Sequence, residues 1–486
     1  MRARATLTLV ALLLAWEGAR ASAQPLGDTL ARIDTSAQQF GPLAQRIWEL
    51  AEAAYREHES VALLKEELRA AGFEIDDGVA GIPTAFVASW GRGRPAIGII
   101  GEYDALPGLS QEALPQKKPR VAGAAGHGCG HNLLGAASVM AALAVKDGLL
   151  ARQAPGTIRL YGAPAGDAGG AKVFMLRSGL FSDLDAALTW HPGDRNQALN
   201  AGSLALIEGR LRFHGQVADA ARPSETGRSG LDALRQAAQA LEQLREQLPR
   251  ETRLEHHVAT NGGAGPGAGA DVAELSLLVR HPEQNALDGV WARALESARA
   301  AARATGTTLY ERVVGACANV LPNEPLAKLI DQNLRRAGGI RYSAEEQAFA
   351  EALRRTASME GAPPLGSQEA IQPLATGYVA GSTEVGDVSW VVPTGQLTTA
   401  TYVPGTPGRS WQSTACAGSG IGRKGMVVAA KALALTALDL LTDSEQLAAA
   451  RAAFQAGKAG AEYRSRLPLD ARPALASEGA PEPPRF

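Results

Sequence analysis

Apolar positions along the first 200 residues follow two alternating rhythms. Residues 29–72 show helical spacing, with Ile47, Trp48, Leu50 and Ala51 followed by Ala54, Leu63, Leu64 and Leu68. Gly41-Pro42 is expected to interrupt this stretch, because proline removes a helical N–H, and Gly72 to close it. Short strands are expected at Phe73–Ile75, Thr84–Trp90 and Ala96–Gly101. The last reads Ala-Ile-Gly-Ile-Ile-Gly, continuously apolar like a strand buried on both faces. A helix over Asn132–Leu149, a strand over Thr157–Gly162 and another from Ala186 to Thr189 extend the pattern. Strands alternating with helices predict an α/β fold: a three-layer domain around a mostly parallel sheet.

The rhythm changes near residue 203. Ala205–His214 and Ala270–Val279 alternate like half-buried strands, while Leu231–Leu248 and Trp291–Thr305 read as amphipathic helices. These two strand–helix units predict a smaller inserted α/β domain over 204–318 with an exposed sheet edge, a surface suited to pairing with a second copy of the chain. The first domain then comprises 24–203 and 319–455. Residues 456–486, rich in Arg, Ala and Pro, read as a loosely held tail.

The N-terminus carries Arg2 and Arg4, the apolar run Leu7–Trp16 and the small-residue stretch Ala21-Ser22-Ala23. That order predicts a signal peptide over 1–23, cleaved before Gln24. The run is short for a membrane span, and no later segment reads as one. The mature chain is therefore expected to be exported, periplasmic or secreted, and free of the membrane. A net charge of -2 without a long basic stretch argues against a nucleic-acid partner and leaves small-molecule substrates or ligands. Among three cysteines, Cys129 suits metal ligation or a reactive thiol. Cys317 and Cys416 either pair or stay as buried thiols.

Candidate chemistry gathers at the expected strand ends. Asp104 follows the apolar strand, Asp167 follows Thr157–Gly162, and His191 follows Ala186–Thr189. In open α/β sheets the carboxyl ends of strands are where ligands bind. Cys129 and His131, two apart in a glycine-rich loop, supply thiolate and imidazole for a zinc-like ion. His127 is open between ligand, supporting group and exposed residue. Asp167 is open between metal ligand, general base and cap of the following helix. All eight histidines lie at or before His281, so any metal centre must form without a late one.

Several segments together resemble the M20 metallopeptidase and amidohydrolase family. They include Gly101-Glu102-Tyr103-Asp104-Ala105-Leu106-Pro107-Gly108, His127-Gly128-Cys129-Gly130-His131-Asn132 and Ala187-Leu188-Thr189-Trp190-His191-Pro192. Gly227-Arg228-Ser229-Gly230, Thr260-Asn261-Gly262-Gly263, Leu321-Pro322-Asn323-Glu324-Pro325, Gly386-Asp387-Val388-Ser389-Trp390 and Ser410-Trp411-Gln412 continue the match. The resemblance spans residues 30 to 450. It implies a catalytic domain dependent on a divalent metal, zinc or manganese, with an inserted dimerisation domain. It also implies hydrolysis of the amide bond in N-acyl or aminobenzoyl amino acids or small dipeptides.

Carried over residue by residue, the resemblance makes Cys129, His131 and His191 metal ligands, with Asp167 in a further ligand position. Asp104 and Asp167 are the catalytic candidates, and Asn261 and Arg228 the candidates for substrate binding. Three positions depart from the family. Gly166 stands where the family has its general-base glutamate. Asp219 stands where a histidine stabilises the oxyanion. Arg409 replaces the late histidine ligand, and a charged guanidinium cannot ligate a cation. The expectation is one ion or none, and impaired hydrolysis. The alternative is an inactive exported homodimer that binds a small amide or amino-acid ligand, or that supports an active partner subunit.

Overall fold

The computed structural model describes residues 28–166, 170–216, 228–260, 272–358 and 360–475. The expected signal segment, Asp167, Asp219 and Asn261 lie outside these described residues. The chain opens with helix α1 (residues 28–50) and α2 (His58–Ala70). Gly41-Pro42 does not interrupt α1, contrary to the sequence expectation. Ile33, Phe40, Ala44 and Ile47 are all buried in the main core, and this packed face carries the helix through the missing N–H.

Strands β1 (Glu74–Asp77), β2 (Phe86–Arg92) and β3 (Ala96–Gly101) follow. Helix α3 (His131–Arg152), β4 (Gly156–Gly162), α4 (Ala171–Arg177), β5 (Ala186–Gly193) and β6 (Gln197–Leu199) come next. After the insertion, the chain returns to the first lobe at Glu324. The large sheet has the order β1-β2-β4-β3-β5-β11-β6, with β11 at Thr394–Ala400. Its central strands β4, β3, β5 and β11 run parallel, and antiparallel β2–β1 and β6 extend the two sides.

Strand β3 shows why the sheet is a middle layer. Ile97 and Ile99 join one core cluster while Ala96 and Ile100 join another. Alternate side chains point to opposite faces, so both faces are covered. Among the described residues, two helices, α3 and Gly420–Thr442, are long and apolar enough to cross a membrane, but 78% of each apolar window is buried in the protein. They are core helices packed on each other and on the sheet.

The second sheet is wholly antiparallel, with the order β10-β7-β9-β8. Its strands are β7 (Ala205–His214), β8 (Arg253–Thr260), β9 (Val272–His281) and β10 (Thr308–Cys317). Helices α5 (Gly230–Glu246) and α6 (Gln284–Thr305) bury Leu234, Leu241, Leu287 and Ala294 against it. The chain re-enters the first lobe at α7 (Glu324–Ala337), whose N-cap is Asn323. The remaining helices are α8 (Ala344–Arg354), α9 (Val385–Ser389), α10 (Trp411–Ala417), α11 (Gly420–Thr442) and α12 (Ser444–Lys458).

Residues 459–475 are not a loose tail. Arg466 pairs with Asp288 of α6, Leu467 is buried, and Arg177 of α4 donates to Pro468 O. Tyr463 OH donates to Asp387 Oδ1 at 2.8 Å. Cys317 and Cys416 are separate buried thiols.

Asp387 supplies a pH prediction. Burial pushes its carboxyl up to about 7, against the Tyr463 and Ala318 hydrogen bonds that favour its charge. A carboxyl raised on folding contributes stability that is complete below its unfolded value, about 3.9, and lost as pH rises through 7. The contribution is at most about 4 kcal/mol. Asp387→Asn, which mimics the protonated form, should therefore flatten the decline of melting temperature between pH 4 and 7, as read by calorimetry.

Candidate metal centre

Parallel pairing brings the carboxyl ends of β4, β3 and β5 to one edge. The β3–β5 register pairs Ile97 with Ala186 and Ile99 with Leu188. Carried past the end of β3, the same offset brings Glu102 level with His191. Helix α3 opens at this edge with His131. Gly130, just before it, has φ +67°, and a Cβ there would press on Pro192 at 2.9 Å. A glycine between Cys129 and His131 is thus required by both backbone and space. The loop is also tied from outside. Arg409 N, Ser413 Oγ and Tyr402 OH all donate to Gly128 O, at 3.1, 2.7 and 3.3 Å.

Glu102, His131 and His191 form one cluster, their ligand atoms within 4.8 Å of one another. His131 Nε2 lies 3.4 Å from Glu102 Oε2, and His191 Nε2 lies 3.7 Å from Glu102 Oε1. His131 Nδ1 is 2.7 Å from Asp104 Oδ1. With the carboxylate oxygen as acceptor, Nδ1 donates and Nε2 keeps its lone pair for the cluster. Glu102 and His131 are buried, whereas the His191 side chain is 36% exposed. The site therefore opens to solvent on the His191 side.

A buried lysine completes the arrangement. Lys172, at the start of α4, is wholly buried. Its Nζ lies 3.1 Å from Glu102 Oε1 and 3.5 Å from Glu384 Oε2. Burial opposes its charge, but Glu102 and Glu384 outweigh burial and hold the ammonium above the usual lysine range. Nearby, Glu57 accepts from Ala165 N at 2.9 Å and from Thr84 Oγ1 at 3.0 Å. Burial, then Asp104, pushes its carboxyl up to about 7. Glu57 thus holds the loop that carries Gly166.

The other expected residues are placed as follows. The Cys129 sulfur is outside the 4.8 Å cluster and accepts from Arg409 Nε at 3.3 Å. Asp104 orients His131. His127 is buried rather than exposed, with Nε2 3.0 Å from Ile47 O, and burial lowers it to about 4, so the ring is neutral. Arg228 pairs with Gln216 in the second lobe and its side chain runs along Gly306.

The donor set fits a divalent ion. Two imidazoles and a carboxylate form a known zinc set, and tetrahedral bonds of about 2.0–2.1 Å separate ligand atoms by about 3.3 Å. Glu102 Oε2 lies 3.4 Å from His131 Nε2, close to that value, and Glu102 Oε1 lies 3.7 Å from His191 Nε2, somewhat beyond it.

Comparison with known proteins adds the ancestry. No protein-family model matches the chain. A p-aminobenzoyl-glutamate hydrolase subunit of Escherichia coli (strain K12) is 35% identical over 466 residues, covering 91% of this chain and 97% of the relative. The chain belongs to the M20 family. A Homo sapiens relative, Xaa-Arg dipeptidase, is 30% identical over 443 residues, covering 87% of this chain and 90% of the relative. Among solved structures, an aminobenzoyl-glutamate utilization protein from Klebsiella pneumoniae matches with TM-score 0.59 and 18% identity, over 86% of this chain and 99% of that one. A dinuclear metal binding M20 peptidase from Bacillus subtilis matches with TM-score 0.57 and 16% identity, over 84% and 99%. The α/β fold with its mostly parallel sheet is thus that of the M20 family, and the relatives are hydrolases.

Sequence reasoning gave no role to Glu102, Lys172, Glu384 or Glu57. A signal for Glu102 was present: it stands two residues before Asp104, the spacing that puts side chains on one side of an extended chain. Lys172 interrupts the apolar run Ala171-Lys172-Val173-Phe174, a further signal of a buried charge that needs partners.

Proposed function

We propose that the chain is a metal-dependent amidohydrolase of low turnover, acting on the amide bond of N-acyl or aminobenzoyl amino acids or small dipeptides. The observation that carries this reading is the Glu102–His131–His191 cluster at the strand edge, beside a position 166 that has no side chain. A divalent ion, zinc or manganese, would when bound supply Lewis acidity toward the scissile carbonyl. Asp104 orients His131 through its Nδ1, and Lys172 lies 3.1 Å from Glu102 Oε1. Gly166 brings no group to accept a proton from water, a loss worth about 10²–10⁴ in rate.

The names of the relatives support the substrate class: aminobenzoyl-glutamate in one, an Xaa-Arg dipeptide in the other. That the Escherichia coli relative is one subunit of its hydrolase supports a related partner chain. The edge strands β8 and β10 expose Val258, Tyr310 and Val314, which supports a homodimer through the second sheet. The signal-like N-terminus supports export.

Protein purified from the periplasmic fraction, where the chain should begin at Gln24, is the material for the test. After metal loading it should turn over N-acyl and aminobenzoyl amino acids at least about 10²-fold below the ordinary enzyme value of about 10 s⁻¹. Turnover of tens per second on any substrate overturns the impairment. No turnover with saturable binding would instead assign a binding dimer or a supporting subunit.

A further inference from the structure

We infer that Glu102 is the carboxylate ligand of a single-ion site with His131 and His191, and that Gly166 is what makes room for it. The inference rests on the metal-dependent reading above, but concerns which atoms hold the ion.

The carboxylate of Glu102 occupies the space in front of residue 166. A Cβ built on Gly166 would run into Glu102 Oε2 and lie 2.6 Å from Glu102 Cδ, far inside van der Waals contact. A side chain at 166 and Glu102 in its present position therefore exclude each other. With glycine there, both Glu102 oxygens face the two histidines, one oxygen toward each Nε2. His131 is already prepared to ligate, since Asp104 takes its other nitrogen.

Two further observations favour this set over one containing Cys129. The Cys129 sulfur is held by the Arg409 guanidinium and stands outside the cluster. The Glu102 oxygen that faces His191, Oε1, also pairs with the Lys172 ammonium, which reaches on to Glu384. A positive charge fixed there repels a second cation and satisfies the same carboxylates, so the site takes one ion.

The test uses the full mature chain and no substrate. Zinc content after dialysis should be one ion per chain. Chelator competition should show Glu102→Gln weakening zinc binding by more than roughly 100-fold, and Gly166→Ala weakening it by about 10–100-fold through displacement of Glu102. Circular dichroism and melting of both variants guard against misfolding. Cobalt(II) bound to the unmodified protein should lack a near-ultraviolet sulfur-to-cobalt charge-transfer band, a readout independent of any variant. Wild-type zinc affinity in a folded Glu102→Gln protein overturns the inference. So does a charge-transfer band that disappears in Cys129→Ser, or a content of two ions per chain. Turnover is not read in these assays, so an inactive protein that gives the expected metal data overturns the hydrolase reading alone.

Discussion

Replacing Lys172 with methionine should cost about 3–5 kcal/mol of unfolding free energy. The side chain is fully buried between Glu102 and Glu384. Methionine fills much of the same volume, so the loss is one of charge rather than packing. Removing one partner of a buried ionic cluster leaves the others uncompensated in a medium that solvates them poorly, which is why such losses are large. Urea unfolding of the metal-free protein measures it directly. The appropriate control is Lys328→Met, whose ion pair with Glu324 lies at the surface and should change stability by about 1 kcal/mol or less. If the two variants lose similar amounts, the Lys172 cluster is not the electrostatic keystone described above.

Restoring the three altered positions together should raise turnover by at least about 10²–10³-fold. Gly166→Glu returns a group able to take a proton, and general bases contribute about 10²–10⁴. Asp219→His brings a hydrogen-bond donor to the position where the resemblance implies an oxyanion-stabilising histidine, and one such donor is worth about 10²–10³. Arg409→His returns an imidazole and releases the Cys129 sulfur from its guanidinium partner. A glutamate at 166 collides with the Glu102 carboxylate, the far end of a flexible side chain, which must swing aside. Gly166→Glu alone should therefore disturb the metal centre before it helps catalysis, and the combined variant should outperform each single one. Steady-state kinetics on aminobenzoyl amino acids would show this. A triple variant no faster than the starting protein sinks the assignment of these positions as the cause of weak hydrolysis.

The strands around the site were legible because burial on both faces writes itself as an unbroken apolar run. Ala96–Gly101 needed no other information. The placement of His131 and His191 at one edge followed from strand order and parallel pairing. Helix α1 was harder, because local propensity at Gly41-Pro42 pointed one way and the packing of Phe40 and Ala44 decided the other. The ligand set was harder still. Whether Glu102 faces the histidines depends on what position 166 lacks, and the two are 64 residues apart in sequence. Likewise, Lys172 finds one of its carboxylates at Glu384, a pairing that only the folded chain creates. The arginine- and proline-rich end looked solvated because its anchors, Asp288 and Asp387, lie far back along the chain.

The two lobes communicate through neighbouring crossings of the backbone, where Val320 N donates to Ser203 Oγ at 3.0 Å. A pair of adjacent crossings is mechanically a door pin, leaving one easy swing. The segment around Arg466 and Leu467 fastens both leaves of the door close beside that pin: Arg466 also binds Gln284, whose amide donates to Asn319 Oδ1. Any swing of the smaller lobe must first unlatch it, so cuts between residue 458 and Leu467 would alter how far that lobe travels, by loosening the Tyr463–Asp387–Ala318 tie at the pin itself.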